Sequence, residues 1–325
     1  MRNPWRLLAS LAPCAALAAV LLGCSGTAAE TLPATFDPSG PAQARVVVTT
    51  GFGANTLLDA VVGIDARTSA MKALESIAET ETGYGGGFVQ SINGVGSTRK
   101  SDWFYYVNGL MAKTGAKDYV LRNGDVEHWD YHSWSSFRGM SAVMGCFPWA
   151  FVNGYGGERR PSIVACEPEY GDEADGIAAV LRGAGAVDVS LVPLAELTPE
   201  QMASRHLVLV AGPDAAPVRE VFDNRATLGL FVSLDGHGLR AFSPSGEEKA
   251  VYQQAAGVLA ATQNPWNPRG TGACENVVVV VSGCDEAGVR AAARTLVHEH
   301  ERLLTWCGAV VEADGRVRPL PAAED

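Results

Sequence analysis

The most site-like polar run in the chain is Asp235-Gly236-His237-Gly238, which follows a predicted strand. Folds of alternating strands and helices place ligands at such strand ends, and an enzyme reading of the chain would have its site near His237. No serine nucleophile motif accompanies it, and Gly236 and Gly238 equally suit a tight hairpin. His128 and His132 are four apart, but on an extended strand that is about 13 Å along the axis, too far for one metal ion unless the chain bends after Tyr131. His298 and His300 flank Glu299 on a predicted helix, where residues two apart point to different sides. Residues 282–288 join a buried strand to a helix, a place where backbone amides can hold an anion. They lack a GxGxxG pattern and a Walker lysine, and Asp285 suits a helix N-cap. Cys307, beside Trp306, fits a small buried apolar residue better than a thiol nucleophile. The chemistry on offer is that of binding rather than catalysis.

The binding signal is aromatic. Fifteen of the chain's twenty-five aromatic residues fall between Tyr84 and Tyr155. Within a predicted strand from Trp103 to Asn108, side chains alternate between faces. Trp103 and Tyr105 therefore stand on one face, Phe104 and Tyr106 on the other. One face serves as core, and the other is free for a flat ligand or a second domain. Arg99, Lys100 and Lys113 lie near this stretch, as solvated loop ends or as contacts for phosphate or amide groups of a ligand.

The elements that must position these residues divide the chain in two. Residues 46–50 and 56–63 predict a hairpin, and Ala70, Ala73, Leu74, Ile77 and Ala78 recur at helical spacing behind Thr68 or Ser69 as cap. Strands follow over 88–92, 103–108, 119–121 and 126–131, with Asn93-Gly94, Asn108-Gly109 and Asn123-Gly124 as turns. This order suggests a β-grasp-like α+β domain over 45–138. Residues 139–161 hold Phe147, Trp149 and Phe151 among turn residues and read as an ordered connector, since their exposure would create an aggregation-prone patch. From Ser162 strands and helices alternate, with strands over 162–166, 187–192, 206–210 and 229–234. Helices are expected over 174–182, 216–224, 247–260 and 286–304. The run Val277 to Val281 is apolar on both faces, as strands between two helix layers require. The expectation is a three-layer α/β domain over 162–319 with a mostly parallel sheet, and a tail over 320–325.

Arg2 and Arg6 precede an apolar run ending in Leu21-Leu22-Gly23-Cys24, the pattern of a lipoprotein signal over 1–23 with lipid attached at Cys24. The alternative is an ordinary signal cut near Ala28 or Ala29; both readings export the protein. Residues 24–44 are rich in Ala, Thr, Pro, Ser and Gly and read as a flexible tether. Removal of 1–23 takes Arg2 and Arg6 and no acid, moving the formal charge from −11 to −13. Nucleic acid is thereby excluded as a natural partner, and membrane attachment falls to the lipid anchor, on the extracytoplasmic face. Beyond Cys24, the five cysteines Cys146, Cys166, Cys274, Cys284 and Cys307 form no CxxC pair, so a zinc site is unsupported. A disulfide such as Cys274 with Cys284 stays open in an exported chain.

Ser91-Ile92-Asn93-Gly94-Val95, Trp103, Tyr119 before Gly124-Asp125 and the strand ending in Ser133-Trp134 occur in this order over about ninety residues. In these features residues 45–134 resemble the C-terminal β-domain of the transcobalamin and intrinsic factor family and its bacterial relatives, the transcobalamin-like (DUF4430) domains. That resemblance implies a β-domain covering one face of cobalamin while a separate helical barrel holds the rest. No such barrel is legible in this chain, so the resemblance points to a corrinoid-binding protein or a lid over a helical-barrel partner, serving a membrane transporter. The contacting edge it implies includes Phe88, Gln90, Ser91, Trp103, Tyr105, Leu110 and Met111. No covalent cofactor is expected. The alternative is a structural or adhesive surface protein whose domains are protein interaction modules.

Overall fold

The computed structural model describes residues 40–134 and 140–324. The signal segment 1–23, the predicted lipidation site Cys24 and most of the tether lie outside the described residues. Among those described, no helix is long and apolar enough to cross a membrane.

The first half contains β1 (Gln43–Thr50), β2 (Asn55–Gly63), α1 (Ala70–Glu75), β3 (Thr80–Gly83), β4 (Phe88–Ile92), β5 (Val95–Gly96), β6 (Ser101–Val107), β7 (Leu110–Met111) and β8 (Val126–Ser133). Five strands form one sheet in the order β2-β1-β8-β6-β7. β1 pairs antiparallel with β2 and parallel with β8, and β6 pairs antiparallel with β8. β1 is buried along nearly its whole length, which explains its unbroken valine run. Ser69 caps α1 by accepting from the Lys72 amide, and Ala70, Met71, Ala73 and Leu74 turn inward. The helix is shorter than its apolar period suggests and ends before Ile77. The strand expected over 119–121 reduces to a single bridge between Ser69 and Val120. β3, β4 and β5 make a separate three-stranded sheet.

The second half contains α2 (Trp149–Asn153), β9 (Ser162–Cys166), α3 (Gly171–Ala184), β10 (Val189–Pro193), α4 (Pro199–Ser204), β11 (His206–Val210), α5 (Ala216–Asp223), α6 (Arg225–Leu228), β12 (Val232–Asp235), β13 (Gly238–Phe242), β14 (Glu248–Tyr252), β15 (Gly257–Gln263), β16 (Val277–Gly283), α7 (Glu286–Glu299), β17 (Gly308–Val311) and β18 (Val317–Leu320). Seven strands run in the order β10-β9-β11-β16-β15-β17-β18. The pairings from β10 to β16 are parallel and those from β16 to β18 antiparallel. The expected mostly parallel sheet is therefore corrected to a mixed one. The cause is β15, which together with β14 replaces the helix expected over 247–260. Its Ala-rich sequence has fair helix propensity, but pairing with β16 on one side and β17 on the other overrides it. Gly257 marks the position: a Cβ there would fall 2.2 Å from the Gly288 carbonyl oxygen, so only glycine lets α7 lie so close on the strand.

Two hydrophobic cores flank the seven-stranded sheet. One joins Val164, Val208 and Val279 to Ile177 and Leu181 of α3 and Leu296 of α7, and continues to Leu74 of α1. The other joins Ile163, Leu209 and Val280 to Val218 and Phe222 of α5 and also contains Phe52 and Tyr106 from the first half. Phe147 and Phe151 of the connector are buried, and Phe151 lies 5.2 Å from the His206 ring. The connector thus packs inward.

Candidate functional site

β6 was the sequence's aromatic platform, and both of its faces are covered. On one face Trp103 is buried and lies 5.3 Å from Tyr131, while Tyr105 stacks on Trp129 at 4.9 Å. The Tyr105 hydroxyl donates to the Thr114 carbonyl, and burial pushes its pKa well up. On the other face Tyr106 is fully buried and Phe104 stacks on His132 at 4.2 Å. His132 in turn stacks on Phe52 at 4.2 Å, and Phe52 meets Phe231 of the second half edge-on at 4.9 Å. Of the two occupants the alternation allowed for the second face, the structure chooses the α/β half.

A buried carboxylate organises that contact. Asp130 accepts from the Thr49 hydroxyl at 2.6 Å, from the amides of Phe52 and Gly53 at 3.0 and 2.9 Å, and bonds His132 Nδ1 at 2.6 Å. Burial alone would raise its pKa, but the hydrogen bonds and neighbouring imidazoles outweigh burial and hold it below the usual carboxylate value. His128 Nε2 lies 2.7 Å from Thr49 Oγ1, and burial lowers the His128 pKa to about 4. His128 and His132 thus serve an internal network. Among the described residues, no group of three or more His, Cys, Asp or Glu side chains is arranged to hold a metal ion.

Among the described residues three aromatic side chains stay open to solvent: Trp134, just after β8 and 50% exposed, and Tyr84 and Phe88 at the tip of the β3–β4 hairpin. Tyr84 is 92% exposed and Phe88 38%, and their rings meet edge-to-face at 6.3 Å. Tyr84, Gly85 and Gly86 all take positive φ, at 52°, 71° and 86°, so the tip is wound left-handed and needs its glycines. Lys117 Nζ donates to the Gly85 carbonyl at 3.1 Å, and Gln90 lies exposed on the outer face of β4. Val89 and Ile92 anchor the strand from beneath. The β5 end is tied down by the Trp103 indole N–H to the Val95 carbonyl at 3.0 Å and by the Tyr131 hydroxyl to Gly96 at 2.8 Å.

Of the residues anticipated for the contacting edge, Phe88 and Gln90 come together at the surface. Ser91, Trp103 and Leu110 are buried, and Tyr105 and Met111 are half-buried. Sequence reasoning missed Tyr84 and Lys117 as surface partners of Phe88. The signal was present: three consecutive glycines cannot sit in a strand interior without loss, so the aromatic residues bounding them must stand at a turn. The remaining candidates resolve simply. His237 is exposed at the β12–β13 turn, where its amide donates to Asp235 at 2.7 Å. Asp285 caps α7 by accepting from the Gly288 amide at 3.0 Å. Lys113 donates to the Ala273 carbonyl at 2.6 Å. The five described cysteines are free thiols; Cys274 Sγ faces the Met111 carbonyl and Cys284 Sγ the Tyr252 carbonyl, so no bridge joins them.

Residues 68–133 match the family model described as Domain of unknown function (DUF4430), confirming the resemblance carried by this segment. No curated protein matches the chain. Among solved structures, haptocorrin in complex with Cbi is 16% identical, with a TM-score of 0.26, over 31% of this chain and 27% of haptocorrin. The chain thus spans about a quarter of that protein's length. A protein from Ruminococcus gnavus ATCC 29149, provisionally described as metal binding, is 16% identical, with a TM-score of 0.23, over 28% of this chain and 97% of its own.

Proposed function

We propose that this chain is an exported, lipid-anchored and non-catalytic binding protein whose β3–β4 hairpin meets one face of a corrinoid, alone or as a lid over a helical-barrel partner that feeds a membrane transporter. The observation that carries the reading is the edge-to-face pair Tyr84 and Phe88, held open to solvent at 92% and 38% on the segment that matches DUF4430. A corrinoid is a flat macrocycle rimmed with amides. Aromatic edges, the Gln90 amide and the hairpin's free backbone groups suit such a surface. In this reading the five-stranded sheet is β-grasp-like and α1 is its packed helix. The lipid anchor at Cys24 supplies retention beside the membrane, and the acidic body above it stays soluble. Trp103, packed in one core with Val89 and Ile92 and bonded to the Val95 carbonyl, acts beneath the hairpin as its support. The alternative, a structural or adhesive surface protein whose domains are protein interaction modules, would draw on connector aromatics, of which Phe147 and Phe151 are buried and Trp149 is half-buried.

The test is calorimetric and spectral titration of the exported chain with cobalamin, alone and mixed with a helical-barrel protein encoded nearby. Binding is expected in at least one arrangement and is expected to weaken at least tenfold in the double variant Tyr84→Ala, Phe88→Ala. Both side chains are exposed enough that the variant's unfolding midpoint stays close to wild type, within about 0.5 kcal/mol. Silence in both mixtures sinks the corrinoid reading.

A further inference from the structure

A cleft between α7 and the turn that follows β17 stands apart from the hairpin and from the core network. It has a volume of about 400 Å³ and is walled by Arg294, Thr295 and His298 on the helix and by residues 311–315 opposite. Three carboxylates border it, and each is already neutralised. Glu299 pairs with Arg302, Glu312 with Arg316 at 3.2 Å and Arg318 at 3.1 Å, and Asp314 with Arg316 at 2.6 Å. Arg294 and His298, one turn apart on the same face of α7, make no ion pair among the described residues. The three lining carboxylates are thus occupied by Arg302, Arg316 and Arg318 from outside the lining, and Arg294 is the guanidinium of the lining left without a carboxylate partner among the described residues.

We propose that this cleft binds a small molecule through an oxyanion group, a carboxylate or a phosphoryl, clasped by the Arg294 guanidinium with His298 beside it. The planar fork of arginine matches both groups with two parallel hydrogen bonds. Exposed Ala313 and Gly315, where a Cβ would meet nothing within 4 Å, leave room for the body of the ligand. The cleft's volume lies in the range of pockets that hold small organic molecules. The site acts independently of the hairpin, so each stands or falls alone.

The experiment is isothermal titration of the exported chain with sulfate and, separately, malonate, at ionic strength held constant with chloride. Saturable binding is expected, with Kd on the order of 1 mM for these minimal probes. Arg294→Ala is expected to weaken it about tenfold or more, and Arg294→Lys by a smaller factor, since lysine keeps the charge and loses the fork. Arg294 is exposed, so these variants fold, and an unchanged urea midpoint verifies it. Tighter sulfate binding assigns a phosphoryl ligand, and tighter malonate binding a carboxylate. The Tyr84→Ala, Phe88→Ala variant is expected to bind both anions as wild type does. Absence of saturable heat with either anion, or equal affinities in wild type and Arg294→Ala, overturns the proposal.

Discussion

Replacing Asp130 by Ala tests the idea that one carboxylate locks the β-sheet half onto the α/β half. Asp130 is 1% exposed and serves four partners: the Thr49 hydroxyl, the Phe52 and Gly53 amides and the His132 ring. Truncation leaves two amides and an imidazole without their acceptor. Each buried group so stranded costs about 1–3 kcal/mol, but they share one local relaxation and do not add. Breaking a buried pair by removing one partner costs about 3–5 kcal/mol, and that is the expected loss. Asp130→Asn is expected to cost about 2–4 kcal/mol, because an amide has a single acceptor oxygen and one of the two backbone donors always loses its partner. Guanidinium unfolding followed by tryptophan fluorescence reports the loss from both halves, through Trp103 and Trp129 in one and Trp266 and Trp306 in the other. Because the folded Asp130 pKa lies below its unfolded value, its contribution is fully present at neutral pH. It is lost as pH falls through the folded pKa. The gap between wild type and Asp130→Ala should therefore narrow in acid. A loss below about 1 kcal/mol at pH 7 would refute the locking role.

Glu127 is fully buried, with its Oε1 bonded to the Trp129 indole and its Oε2 without a partner, and burial raises its pKa well above the usual value. A raised pKa contributes stability below the unfolded value that is lost as pH rises through the folded one, so Glu127→Gln should gain on wild type between pH 5 and 8; a pH-independent difference in unfolding free energy contradicts this. Burial lowers the His206 pKa from 6.5 to about 3, so its contribution is complete above pH 6.5 and erodes as pH falls toward the folded value. The stability gap between wild type and His206→Gln should then shrink from pH 7 to pH 4, and a constant gap in urea titrations would count against it. Cys146, Cys166, Cys274, Cys284 and Cys307 should all titrate as thiols in denaturant and slowly without it, burial having raised the pKa of each; a Cys274–Cys284 linked peptide in mass spectrometry would show otherwise.

β9, β11 and the valine run of β16 were legible because a strand buried on both faces carries its own signature, and the Ser69 cap of α1 was equally local. The fate of β6 was not, for a physical reason. Alternation fixes which residues share a face, but not what covers that face. The cover for Phe104 and Tyr106 includes Phe231 and Cys307, more than a hundred residues away. β8 misleads in the opposite sense, since Glu127, His128, Asp130 and His132 look like solvent-facing residues between aromatics and are all buried. Charge was admitted there because local partners existed: a threonine hydroxyl and two loop amides converge on Asp130, and an indole N–H on Glu127. The aromatic wealth of the first half is thereby divided. Most of it holds the two halves and the connector together, while Trp134 stays exposed just after β8 and the pair Tyr84 and Phe88 stands where three glycines bend the chain away from the core. That surface aromatic pair, on a tip wound left-handed through Tyr84, Gly85 and Gly86, is what the core does not require and what the proposed corrinoid contact rests on.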